Sequence, residues 1–103
     1  MIVATTDSIA GKNVEVLGMV RGSVVRAKHI GRDIMAGLKT IVGGEIAGYT
    51  ELMNEARDIA TERMVKHAKQ HGADAIVAVR YETCSIMGGS SEVMAYGTAV
   101  RFK

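Results

Sequence analysis

The chain has 103 residues and a formal net charge of +2, with 13 Lys and Arg against 11 Asp and Glu. Its length predicts a single domain over residues 1–103 with room for one modest core. The charges are balanced and aromatic residues make up only 4%. A nucleic-acid-binding surface needs clustered basic residues and usually stacking aromatics, so no nucleic-acid partner is expected.

The apolar residues hint at self-association. Hydrophobic residues make up 48% of the chain, with seven Met, one Phe and no Trp. A core of this kind is filled by Val, Ile, Met and Ala, and apolar surface left over needs a partner. Cys84 is alone, which rules out an intramolecular disulfide. No run reaches transmembrane length and the N-terminus lacks a basic leader pattern, so we expect a cytoplasmic protein without a membrane partner.

Two strands are predicted first. Met1–Thr6 is short, apolar and β-branched, and turn residues follow it. Val14–Lys28 carries apolar residues on both of its faces, which predicts a strand covered on two sides. Gly18 and Gly22 inside it indicate a bulge or the close approach of another backbone.

A shorter helix is predicted over His29–Val42, from apolar residues recurring at steps of three and four. Gly43 and Gly44 would end it. Backbone N–H groups at this glycine pair could instead hold a phosphate, but the spacing fits no phosphate-binding motif, so we favour the helix stop.

The run Tyr49–Gly72 predicts a long amphipathic helix that lies across one face of the sheet. One side carries apolar residues: Tyr49, Leu52, Met53, Ala56, Ile59, Ala60 and Met64. The other side is largely charged: Glu51, Glu55, Asp58, Glu62, Lys66 and Lys69. Basic residues near His71 and Gly72 favour the end of the helix there.

Two further strands are predicted, Ala75–Cys84 and Glu92–Phe102, joined by a hairpin loop over Ser85–Ser91. In the first strand we expect one register to face the helix: Val77, Val79, Tyr81 and Thr83. In the last strand we expect a register of small apolar residues on the far face of the sheet, away from the helix, which predicts that this face is not fully exposed to water: Val93, Ala95, Gly97 and Ala99.

The chain resembles the YbjQ family of small bacterial and archaeal proteins, often labelled heavy-metal-binding. Three segments carry the likeness in order: RDIMAGLKTIVGGEIAGYTELMNEAR at 32–57, GADAIVAVRYET at 72–83 and YGTAV at 96–100. The resemblance implies an α+β fold like YbjQ and dodecin subunits, a two-layer α/β subunit with a mainly antiparallel sheet, one long helix and one shorter helix. It also implies a ring-shaped homo-oligomer, a pentamer, and brings no catalytic residues with it.

His67 and His71 are the candidate metal ligands. They lie four residues apart, so on a helix both imidazoles project from one face. Two ligands alone do not make a tight site, and the commoner reading is a pair of histidines bonded to carbonyls or packed at a subunit contact.

Three other residues are candidates for a functional role. Arg63 and Arg80 lie on partly apolar faces, which favours ion pairs with Glu62 or Glu82 across subunits over an anion site. Cys84 with a histidine would be the nucleophile and base of an enzyme, but its place in a strand favours simple packing.

The function expected is therefore a non-enzymatic homo-oligomer that binds a small ligand or ion where subunits meet. The alternative is a metal-binding protein that uses His67 and His71. The sequence names no cofactor.

Overall fold

A computed structural model of the chain describes residues 1–26, 41–42, 45–46, 49–86 and 90–103. The elements follow one another in this order: β1 (Ile2–Val3), β2 (Val14–Arg26), β3 (Ile41–Val42), β4 (Glu45–Ile46), α1 (Tyr49–Gln70), β5 (Ala75–Ser85) and β6 (Ser91–Phe102). The predicted strands β2, β5 and β6 and the long helix α1 are therefore confirmed.

The main sheet has four strands in the order β1-β5-β6-β2. β6 pairs antiparallel with β2 and with β5, while β1 runs parallel to β5. This mixed, mainly antiparallel sheet with α1 packed on it confirms the predicted α+β class. β2 forms one edge of this sheet.

The prediction of a helix over His29–Val42 has two outcomes. Residues 29–40, Gly43 and Gly44 lie outside the described residues. Ile41 and Val42, however, form β3 and pair antiparallel with β4, so the helix assignment is wrong for these two residues. Both are β-branched and precede a Gly-Gly pair, a pattern typical of a hairpin strand.

Helix α1 buries a stripe of small and flexible side chains against the sheet: Ala56, Ala60, Met64 and Ala68. The predicted charged side of the helix is exposed. The helix ends as predicted at Gly72, which adopts a φ of +75°. The amide of Gly72 bonds to the carbonyl of Lys69, and that of Ala73 reaches back to Ala68, which is a Schellman motif.

The two glycines of β2 have different roles. Gly18 has a φ of +136° and lies at the register shift between Val16 and Gly18, so it forms a bulge. At Gly22 a Cβ would overlap the backbone of Ala60 and Met64. The helix backbone therefore contacts the edge strand at Gly22. Gly18 forms the predicted bulge, and Gly22 is the predicted point of close backbone approach.

The prediction of which β5 residues face the helix is partly wrong. Ile76 packs in the cluster that contains the α1 residues, whereas Val77 packs on the opposite face. A bulge between Val77 and Arg80 inserts one extra residue, with Ala78 at a φ of 53°. The extra residue shifts the alternation, so Val79 faces the helix as predicted.

The assignment of the small β6 residues to the far face is wrong, although the far face is partly covered, as predicted. Val93, Ala95 and Ala99 pack with α1 rather than away from it. Small residues are needed on this face because α1, with alanines on its buried stripe, lies close to the sheet. The opposite face holds a smaller cluster, in which Ile9 and Phe102 pack around the buried Ala75, Val77 and Val100.

Replacing Gly22 by Ala should lower the free energy of unfolding by about 1–3 kcal/mol, because the added methyl group displaces the helix backbone. Ser23→Ala is the matched control, since it changes a half-buried side chain of the next residue and keeps every backbone bond. Denaturant unfolding followed by circular dichroism measures both. Equal stability of the two variants would contradict the close approach.

Candidate functional site

His67 lies in the last turns of α1 and His71 directly follows the helix, so both lie next to the outer edge of β2. The ring centroids of His67 and His71 are 5.0 Å apart, with an angle of 60° between the ring planes. His67 is half-buried and His71 is exposed. The two rings therefore lie side by side, as their spacing predicts, although His71 lies just past the end of α1.

His67 already has a partner. Its Nδ1 accepts a hydrogen bond from the backbone N–H of Arg21, at 3.2 Å. A neutral imidazole that accepts at Nδ1 carries its proton on Nε2, so neither nitrogen keeps a free lone pair. A metal ion could bind His67 only by displacing the Arg21 bond or the Nε2 proton.

A small cavity lies beside His71. It encloses about 30 Å³ and is lined by Leu17, Gly18, Met19, Val20, His71 and Ala99. This volume holds water or an ion and is far below that of a site for an organic ligand. His71 is the ionisable side chain among the lining residues.

The two arginines bond to main-chain carbonyls. Arg63 Nη1 donates to the carbonyl of Ser23 at 2.6 Å. Arg80 Nη1 donates to the carbonyls of Thr5 and Val79, at 3.0 and 2.9 Å. Within the described residues neither arginine forms an ion pair with a carboxylate, so the predicted pairing with Glu62 or Glu82 across subunits stays a prediction.

Cys84 lies on the face of the sheet opposite α1. It pairs across strands with Glu92, which in turn pairs with Val25, and Cys84 Sγ is 3.9 Å from Glu92 Oε1. The neighbouring Val24 and Val93 face the helix, so Cys84 faces away from it. In a single chain Cys84 therefore cannot join His67 or His71 as a nucleophile or as a third metal ligand.

The backbone partners of this site could not be predicted from the sequence. The amide of Arg21 and the carbonyl of Ser23 carry no signal in side-chain patterns. Gly22 between them did carry one, because it brings α1 onto β2. The helix residues one turn further along, Arg63 and His67, then reach the edge of the strand.

Known proteins match this chain over essentially its whole length. The family model described as "Putative heavy-metal-binding", that of YbjQ, matches residues 1–103. The chain belongs to the YbjQ family. A UPF0145 protein of Vibrio parahaemolyticus is 66% identical over 98% of this chain and 97% of its own. A UPF0145 protein of Methanosarcina acetivorans is 54% identical over 98% and 96%.

A solved structure also supports the YbjQ fold. A protein of unknown function of the DUF74 family from Pediococcus pentosaceus superposes with a TM-score of 0.67. The match covers 100% of this chain and 98% of that one, at 18% sequence identity. At this identity the likeness concerns the fold alone.

The heavy-metal description of the YbjQ family can be tested on the side chains present. Among the described residues, no three His, Cys, Asp or Glu side chains come together as metal ligands. The His67 and His71 pair is occupied at His67 Nδ1, and Cys84 lies across the sheet. These residues do not fit a resident metal ion in a single chain.

We expect Zn²⁺ to bind the protein only weakly, above micromolar concentration, because His67 would first have to release Arg21. Isothermal titration calorimetry of the wild type and of His67→Ala/His71→Ala measures this. Submicromolar, one-to-one binding that is lost in the double variant would establish the predicted metal pair instead.

Proposed function

We propose that this chain is the non-enzymatic subunit of a closed homo-oligomer. The family resemblance favours a ring of five subunits. The observation that carries the proposal is a row of exposed apolar side chains on β2: Val16 is 68% exposed, Met19 71% and Val25 56%.

The row lies on the face of the sheet opposite α1. Met19 pairs with Thr98, which pairs with Val77, a residue of the cluster that faces away from the helix. Val16 pairs with Val100 of the same cluster. Val25 follows the helix-facing Val24 and so points to the opposite side. One face of β2 is thus covered by α1, and the other leaves three apolar side chains in water.

A second group of exposed apolar residues lies at the other side of the sheet, where β1 is the edge strand. Met1 and Ile2 are each 46% exposed and Val3 is 36% exposed. Two separate apolar surfaces on one subunit are what a head-to-tail interface requires, and such an interface closes into a ring when the rotation between copies allows it. This arrangement supports a ring over an isolated subunit.

The absence of catalysis is proposed on the chemistry of the described residues. Cys84 and the histidines lie on opposite sides of the sheet, which removes the nucleophile and base considered from the sequence. The relatives carry no catalytic name.

In the described part of the chain, no helix is long and apolar enough to cross a membrane. Cytoplasmic location, and a small ligand or ion bound where subunits meet, stay predictions.

Sedimentation velocity at micromolar concentration should give a mass several times that of the 11.0 kDa chain. Met19→Glu should weaken the association at least about tenfold, because burial of a Met side chain contributes roughly 1.5–3 kcal/mol and a buried carboxylate opposes it.

Met19→Leu is the matched control and should keep the wild-type mass. A monomeric wild type, or a Met19→Glu variant that assembles as well as Met19→Leu, would overturn the proposed interface.

A further inference from the structure

The two long sides of β2 are in different environments. One side pairs with β6 over the length of the strand, from Val14 to Arg26. The other is the outer edge of the sheet, and among the described strands none pairs with it. An unpaired edge offers N–H and C=O groups to any extended chain, so a long edge strand invites the addition of a strand from another copy.

Two side chains of α1 occupy this edge. The outward N–H of Arg21 is bonded to His67 Nδ1, and the outward C=O of Ser23 is bonded to Arg63 Nη1. Residues two apart in a strand present their backbone groups to the same side. The helix therefore supplies one acceptor and one donor to adjacent outward groups of β2, at the positions where an added strand would have to bond.

A third contact follows the same line. Arg26 Nη2 lies 3.6 Å from Glu55 Oε1, at the other end of the packed part of α1. Glu55, Arg63 and His67 follow one another along α1 in this order. Their partners on β2 are Arg26, Ser23 and Arg21, which follow one another in the reverse direction along the strand. The helix thus runs antiparallel to the edge strand and follows its outer side.

We propose that Arg63 and His67 form an edge clamp, a pair of side chains that closes the outer edge of β2 to strands of further copies of this chain. This deepens the proposed function and rests on it: assembly stays closed because its contacts exclude this edge. Toward the start of β2, the bulge at Gly18 interrupts the regular ladder and further disfavours pairing there.

The clamp assigns His67 a role that competes with metal binding. The lone pair that a metal would need is the acceptor for Arg21. Glutamine at position 67 can replace that acceptor through its side-chain carbonyl, whereas alanine cannot. The comparison of Gln and Ala therefore separates the clamp from a metal ligand, because Gln is a poor ligand for soft metals.

The test uses the full chain with Arg63→Ala/His67→Ala, both single variants and His67→Gln. Lys66→Ala/Lys69→Ala, on the exposed side of the same helix, is the matched control. In His67→Ala the Arg21 amide should exchange with deuterium severalfold faster, about tenfold at most, relative to the wild type. In His67→Gln and in the lysine control it should exchange at the wild-type rate.

Sedimentation velocity gives the second readout. The double variant should form species heavier than the wild-type assembly, growing with concentration, and the lysine control should not. If the double variant does not fold, the single variants are compared, each expected to show a smaller heavy fraction. If the double variant and the single variants all have the mass distribution of the wild type, the clamp is overturned, even if the Arg21 amide exchanges faster.

Failure of the clamp and failure of the proposed function are distinguishable. A wild type that sediments as a monomer contradicts the closed homo-oligomer, whatever the variants do. An oligomeric wild type whose mass is unchanged in Arg63→Ala/His67→Ala leaves the oligomer intact and removes the clamp.

Discussion

The close approach of α1 to β2 at Gly22 determines how the helix packs on the sheet and which of its side chains reach the strand edge. Because Gly22 has no side chain, the backbone of Ala60 and Met64 comes down on the edge strand. The small residues Ala56, Ala60 and Ala68 on the helix, and Ala95 and Ala99 on β6, permit the same short separation. The helix therefore covers the edge of the sheet as well as one of its faces, and Arg63 and His67 reach the backbone of β2.

The same geometry leaves much of the opposite face of β2 uncovered by the described residues. One amphipathic helix covers one face of a sheet, and the N-terminal segment covers the other face only around Ile9, Val77 and Phe102. Val16, Met19 and Val25 remain in water in a single chain. A closed strand edge and an uncovered apolar sheet face together favour association of subunits through their sheet faces. They disfavour edge-to-edge pairing of strands between subunits.

Much of this fold could be predicted from patterns in the sequence. The helical spacing of Ala56, Ala60 and Met64 gave the long helix, and glycines inside a strand correctly signalled a bulge and a close approach. The facing of Val77 could not be predicted, because one inserted residue at Ala78 changes the alternation of β5 without changing the composition. The predicted facing of β6 is wrong for a different reason, since its small residues pack under the closely approaching helix. The spacing of His67 and His71 correctly placed both rings side by side. It could not show that a backbone amide already occupies His67.

The central claim is that neighbouring copies cover the face of β2 that α1 leaves open. The most direct measurement is the solvent exposure of the Met19 methyl group in ¹³C-methyl-labelled protein, using a soluble paramagnetic gadolinium chelate. Met64, fully buried under the helix, is the internal reference. We expect the Met19 signal to be protected nearly as well as that of Met64 in the assembled protein. A Met19 signal that is broadened as strongly as that of free methionine would contradict the claim.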